Sequence, residues 1–243
     1  MNCQPQWKTL VYKWLIISQT CLLCDERAEQ AYPLCVACEQ ELPWLVDQCL
    51  RCALPMPMAG LTCAQCSRRA PAFERVVALW HFSFPVDTLV SRFKHKRQWP
   101  LGRLMAQMLG HGLLHRFAEG LARPDLLLPV PLARRRLRER GFNQAGMLAH
   151  WLSAQLGIRC DERLLARTRE TPAQQQLDAS ARRRNLRQAF AVAGELTGRH
   201  VAIVDDVLTT GATAQAVAEV LRKAGARQVD VYCLARTPKP GHV

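Results

Sequence analysis

Val201-Ala-Ile-Val-Asp-Asp-Val-Leu-Thr-Thr-Gly-Ala-Thr213 is the stretch that decides the fold. An apolar run ends in two carboxylates. A short Thr/Gly turn follows, and residues from Ala214 to Leu221 then recur at helical spacing. The order reads as a buried strand, a phosphate-sized loop and a helix start. Small residues let backbone N–H groups approach a phosphate closely, and a helix N-terminus adds a favourable field. Asp205 and Asp206 would repel that phosphate, so they suit ribose hydroxyls or a metal one sugar-length away. The turn is not a Walker loop, which needs Gly-Lys-Ser/Thr, nor a G-x-G-x-x-G dinucleotide turn. An ordinary strand–turn–helix with a polar edge is the plain structural alternative.

Working outward, Val229–Leu234 reads as a second buried strand, separated from the first by the helical segment Thr213–Ala224, with Gly225 as its cap. Leu126-Leu-Leu-Pro-Val130 has the same character, and Val76–Phe84 reads as a further strand broken by Pro85. Val86–Phe93, Leu101–Phe117 and Phe142–Leu156, the last with Asn143 near its start, have helical periodicity. Strands alternating with helices argue an α/β fold with a parallel sheet, whose ligands bind beyond the carboxyl ends of the strands.

Residues 129–144, from Pro129 to Gln144, leave a strand and enter a helix, and they carry Arg134, Arg135, Arg136, Arg138 and Arg140. Arginine forks grip phosphate oxygens in pairs, although a solvated basic turn has the same composition. Leu164–Phe190 holds many arginines and little apolar content, and reads as a lid loop or as a basic surface hairpin. Lys94, His95 and Lys96 either line the same cleft or form a solvated charge cluster, and the second reading is preferred.

The N-terminal quarter carries a different chemistry. Eight of the eleven cysteines form four C-x-x-C pairs: Cys21/Cys24, Cys35/Cys38, Cys49/Cys52 and Cys63/Cys66. Two such knuckles complete a tetrahedral Zn²⁺ site, so four make two all-cysteine sites with no open position for a substrate. Spacing leaves open whether neighbouring knuckles pair, or outer with outer and inner with inner. The odd total argues against a disulfide framework. With few large apolar residues here, metal binding supplies folding free energy on the order of 10 kcal/mol per site. Cys233 lies in a strand-like run and reads as a small buried hydrophobe.

The 243 residues suffice for one good-sized domain plus a small one, expected at 71–243 and 1–70. A hydrophobic content of 49% supports a true core, whereas the net charge of +13 implies attraction to nucleic acid or phosphorylated small molecules. Leu10–Ile17 is interrupted by Lys13 and too short to span a bilayer, and Lys8–Ser18 reads as an amphipathic helix. The expectation is a cytoplasmic protein with no stable membrane insertion.

Val201–Thr213 resembles the ribose-phosphate motif of type I phosphoribosyltransferases, which bind phosphoribosyl pyrophosphate. The resemblance implies a phosphoribosyltransferase-like α/β fold, with magnesium accompanying the donor. Carried over by position, Asp205 and Asp206 take the ribose hydroxyls, and Thr209, Thr210, Gly211, Ala212 and Thr213 take the 5′-phosphate. In that family a loop placed like residues 129–144 binds pyrophosphate, and Arg134 and Arg140 are the residues chosen for it here. The wider combination is closer still. Zinc knuckles ahead of such a domain, Arg-Gly-Phe-Asn-Gln at 140–144, Arg-x-x-x-Thr-Pro-x-Gln at 167–174 and Arg-x-x-Asn at 182–185 together resemble the ComF/GntX family. That implies a part in competence or in the use of external DNA as a nutrient. It also implies action on incoming single-stranded DNA, with DNA-uptake or helicase machinery as partners.

Two classes of function follow. One is a nucleic-acid handler built on a phosphoribosyltransferase fold, with Phe142 available to stack on a base or to join the core. The other is an enzyme transferring a phosphoribosyl group to a nitrogenous base. A regulator that senses the sugar donor without turnover is a third.

Overall fold

The computed structural model describes residues 19–168 and 188–238, so the Lys8–Ser18 helix and most of the expected lid, including Arg169, Thr171, Gln174, Arg182 and Asn185, lie outside the described residues. The chain divides into two compact units, Met1–Glu41 and Leu42–Val243.

In the first unit the strands β1 (Gln19–Thr20) and β2 (Arg27–Ala28) pair antiparallel around the Cys21–Cys24 knuckle. The helix α1 (Val36–Gln40) begins on Cys35, whose Sγ accepts the Cys38 N–H. The second unit repeats this plan 28 positions later, with a knuckle at Cys49–Cys52 and a helix α2 (Ala64–Arg68) beginning on Cys63. Each knuckle turns through a left-handed residue just after its second cysteine, Asp25 at φ 61° and Ala53 at φ 51°. Each of those residues donates its N–H to the carbonyl of the knuckle's first cysteine at 3.0 Å.

The main sheet belongs to the second unit. It comprises β3 (Arg75–His81), β4 (Leu126–Pro129), β5 (Arg159–Cys160), β8 (His200–Leu208) and β9 (Gln228–Arg236), in the order β3-β9-β8-β4-β5. All four pairings are parallel, as suits strands buried on both faces. Connecting helices are α3 (Val86–Lys96) and α4 (Trp99–Ala118) after β3, α5 (Arg134–Arg140) and α6 (Gln144–Leu156) after β4, and α7 (Ala212–Lys223) after β8. Ala214, Val217 and Leu221 of α7 share a core with Val201, Ile203, Val231 and Cys233, which lie on one sheet face. The short strands β6 (Leu165–Arg167) and β7 (Phe190–Val192) pair antiparallel and bracket the undescribed residues 169–187.

Residues 42–81 show why the second knuckle set belongs with the sheet. Leu45 donates to the Leu79 carbonyl, His81 to Pro43 and Val76 to Arg51, each at 2.8 Å. Trp44 bridges Trp80 antiparallel, so the exposed edge of β3 is covered by the chain that leads into it. Two segments differ from expectation. The arginine-rich stretch 134–140 is a short helix rather than a loop, closed by Gly141 at φ 84°. Strand β8 runs through the acidic pair to Leu208, because β9 continues to pair with it as far as Arg236.

Candidate functional site

The chain leaves β8 through α7 toward β9, and leaves β4 through α5 and α6 toward β5 on the opposite side. Neighbouring strands whose connections diverge open a crevice at their carboxyl ends, where α/β sheets bind ligands. One wall is the turn Thr209–Gly211 and the start of α7. The other is α5 with its arginines.

On the first wall Thr209 and Thr210 are exposed, and Gly211, Ala212 and Thr213 are half-buried. Gly211 sits at φ 77° as the N-cap of α7, a left-handed turn that glycine permits. The Thr210 hydroxyl accepts the Ala212 N–H at 3.3 Å. The first-turn N–H groups of Thr213 and Ala214 have no acceptor within the helix, which is the arrangement that receives an oxyanion.

Successive strand residues face opposite sides, so Asp205 shares the side of its register partner Cys233 and Asp206 points away from α7. Asp205 is half-buried, and its Oδ1 accepts the Asp206 N–H at 2.9 Å. Burial pushes its carboxyl up to about 7, against the field of Lys94. Asp206 is only 4% exposed. One of its oxygens accepts the Val207 N–H at 2.8 Å and the other meets Lys94 Nζ at 2.5 Å. The two acids are therefore not equivalent: one is accessible and the other is held inward by a lysine.

Lys94 is thus not part of a solvated cluster. His95 and Lys96 are exposed, but Lys94 turns in from α3 with a side chain 19% exposed. Burial pulls its ammonium down to about 8; Asp205 opposes this, and Arg140 and Arg136 add to it. The signal was present in the periodicity. Lys94 follows Val90 by four positions and adjoins Phe93, both buried, at the edge of the apolar stripe of α3.

Arg134 opens α5 and is exposed, as are Arg136 and Arg138. Arg140 is half-buried and donates to Gln144 Oε1; desolvation, then the field of Arg136, lowers its pKa. The rest of the Arg-Gly-Phe-Asn-Gln run is also accounted for. Asn143 caps α6 through the Ala145 N–H and donates to the Val130 carbonyl, each at 3.2 Å, tying the helix to the end of β4. Phe142 packs at 5.7 Å from the Phe93 ring and 6.4 Å from Trp99, so it braces α3 against α6.

Sequence reasoning did not single out Arg236. It is 5% exposed at the end of β9 and donates to the carbonyls of Cys52 at 3.0 Å, Leu208 at 2.9 Å and Thr237 at 2.8 Å, and also to that of Thr209. A buried guanidinium thus joins the second cysteine knuckle to the start of the phosphate loop. The available signal was a charge closing the apolar end of a buried strand, Tyr232–Ala235.

The cysteines form two groups, Cys21/Cys24/Cys35/Cys38 and Cys49/Cys52/Cys63/Cys66, each with its sulfurs within 4.8 Å of one another. Neighbouring knuckles therefore pair. A tetrahedron with Zn–S bonds of about 2.3 Å has S···S edges of about 3.8 Å. The Cys24–Cys35 and Cys52–Cys63 separations of 3.6 and 3.7 Å match it. Desolvation raises the Cys21 and Cys49 thiols, but backbone N–H donors outweigh it and bring them down to about 6 and about 7. Leu23 N–H to Cys21 Sγ at 3.4 Å and Cys63 N–H to Cys49 Sγ at 3.2 Å are among those donors. Both groups are of the kind that holds structural zinc. Cys233 is fully buried in β9.

Comparison with known proteins finds matches to both parts of the site. A phosphoribosyl transferase domain model matches residues 141–241, and a double zinc ribbon domain model matches residues 14–67. The DNA utilization protein YhgH of Escherichia coli is 39% identical over 171 residues, 70% of this chain and 75% of that protein. Competence protein F of Haemophilus influenzae is 35% identical over 173 residues, 70% of this chain and 76% of that protein. Among solved structures, a purine phosphoribosyltransferase from Pyrococcus horikoshii is 25% identical over 57% of this chain and 77% of its own, with a TM-score of 0.36. Among the described residues, no helix is long and apolar enough to cross a membrane. With its cysteine-rich segment, parallel sheet and relatives at this level of identity, the chain belongs to the ComF/GntX family, that of YhgH and competence protein F.

Proposed function

We propose that the chain binds phosphoribosyl pyrophosphate, or a related ribose 5-phosphate, in the crevice between the carboxyl ends of β4 and β8. The observation that carries this reading is the ending of β8, where an accessible carboxylate at Asp205 is followed directly by the Thr209–Thr213 turn and the start of α7. In this reading Asp205 accepts hydrogen bonds from ribose hydroxyls, and Asp206 acts from behind by holding Lys94. The turn residues Thr209, Thr210, Gly211, Ala212 and Thr213 receive the 5′-phosphate. Arg134, Arg136 and Arg140 offer forked donors for a pyrophosphate. Magnesium would arrive with the donor, where it neutralises pyrophosphate oxygens.

The wider role we infer is DNA utilization or competence, for which its relatives are named, carried out in the cytoplasm on incoming single-stranded DNA alongside uptake or helicase proteins. What supports it is the net charge of +13 and the exposed arginines of α5, which favour a polyanion. A second reading, phosphoribosyl transfer to a nitrogenous base, is favoured by those same arginines, since they would stabilise departing pyrophosphate.

Titration with phosphoribosyl pyrophosphate and Mg²⁺ tests the site. Parent protein should bind, and Asp205→Asn should bind at least about tenfold more weakly, as expected for loss of a charge-assisted hydrogen bond. Equal affinity in the two proteins would sink the reading. Release of pyrophosphate across a panel of bases separates the enzyme from the binding protein.

A further inference from the structure

Lys94 lies in an unexpected place for a residue outside both recognised motifs. It comes from α3, two helices before β4, yet its ammonium contacts the inner acid of the pair at 2.5 Å. Its side chain remains 19% exposed, against 6% for that of Asp206. Asp205, Arg136 and Arg140 are close enough to act on it electrostatically, which sets it among the groups that line the crevice. The position is also mechanically fixed. The preceding residue, Phe93, is fully buried, and its ring packs against Phe142 at 5.7 Å and Trp151 at 6.1 Å. Gly102 of α4 approaches that ring so closely that a methyl group there would lie 2.5 Å from it. Such packing sets the direction in which the next side chain leaves the helix.

A cation seated on one of two neighbouring strand-end carboxylates supplies there the positive charge that a divalent ion would otherwise bring. An ammonium has three donors and no acceptor. Its contact with Asp206 is an ion pair, which leaves donors for the ring oxygen or hydroxyls of a sugar, or for a phosphate oxygen. We propose that Lys94 is the resident cation of the ribose site, so that this chain retains ribose 5-phosphate without a divalent metal. The inference rests on the ribose-phosphate reading above and extends it. Magnesium then matters only for a ligand that carries pyrophosphate as well.

The test is the affinity of the full chain for ribose 5-phosphate, measured by calorimetry in EDTA and in Mg²⁺. Wild-type protein should bind with affinities within about twofold of each other in the two buffers. Lys94→Met should lose about tenfold or more in EDTA, the size of one charge-assisted contact. It should recover part of that loss in Mg²⁺, because Asp206 is then free to take the ion. Lys94→Met/Asp206→Asn should lose as much in EDTA and recover nothing. This double variant also removes the unpaired buried acid that could unfold the single one. The proposal is overturned if magnesium tightens wild-type binding tenfold, or if either variant binds like wild type in EDTA. Wild-type protein that binds ribose 5-phosphate in neither buffer, yet binds phosphoribosyl pyrophosphate with Mg²⁺, overturns it while sparing the donor site. Failure to bind either ligand removes both.

Discussion

Replacing Arg236 by Met keeps the aliphatic stem in place and removes the guanidinium. The side chain is 5% exposed, and its donors meet the carbonyls of Cys52, Leu208, Thr209 and Thr237. Hydrogen bonds from a charged donor are worth about 1.5–3 kcal/mol each, but four on one group are not additive. Leaving a buried carbonyl without its donor costs about 1–3 kcal/mol, and several lost together do not add, so we expect a loss of about 3–5 kcal/mol. For a unit of about 200 residues each kcal/mol lowers the melting temperature by about 2–4 °C, so the drop should be about 6–20 °C. Two further readouts separate this residue from a generic core arginine. The Cys52 carbonyl belongs to the second knuckle, so zinc loss to a chromogenic chelator should accelerate from that site. The Thr209 carbonyl opens the phosphate loop, so affinity for ribose 5-phosphate should fall in protein that is still folded. A melting drop under about 2 °C, with zinc release and affinity unchanged, would refute the assignment of Arg236 as the tie between knuckle and loop.

Other outcomes follow from the same geometry. Gly102→Ala should destabilise by about 1–2 kcal/mol in a denaturant titration, because the methyl group would sit 2.5 Å from the fully buried Phe93 ring, and overpacking outweighs the better helix propensity of alanine. Under a mild chelator the first cysteine group, with Cys24 exposed, should lose zinc before the second, three of whose four cysteines are buried; stoichiometric release read by mass spectrometry checks the order. Single-stranded oligonucleotide binding should weaken with salt at a log–log slope of about −0.7 per phosphate contacted. Changing Arg134, Arg136 and Arg138 together to Gln should flatten that slope by up to about 2, and an unchanged slope would exclude α5 from the interface.

Much of the fold was legible because its strands are buried on both faces. Val201–Val204 and Leu126–Val130 carry no polar residue to blur them, and Val229–Leu234 carries one charge, Asp230, so each reads as a parallel strand, and order along the chain does the rest. The cysteine groups were equally plain, and only their pairing needed coordinates. Legibility failed where contacts join residues far apart in sequence. Arginine is a good helix former, and the run 134–140 becomes helical once Gly141 can close it, which composition alone did not reveal. The separation of Asp205 from Asp206 was hidden in the two-residue strand period, since adjacent acids in a strand cannot face the same way. Lys94 was passed over because a Lys-His-Lys run resembles a wet surface, and its partner lies more than a hundred residues away.

The two cysteine groups repeat one plan, yet their surroundings assign them different tasks. The group at Cys21–Cys38 orders its own short segment, where Cys21 donates to the Glu26 carbonyl at 2.7 Å and Leu22 to that of Pro33 at 3.0 Å. The group at Cys49–Cys66 is bonded into the sheet at Leu79, Val76 and Arg236, with Cys52 packed against the main core. Arg236 draws on the Cys52 carbonyl and on two carbonyls at the end of β8, so displacing the knuckle would displace the turn that follows Asp205. A short metal-bound segment with little core of its own can in this way fix the end of a central strand. That strand end is where the accessible carboxylate, the buried acid and the lysine meet, and it is the part of the fold least able to tolerate slack.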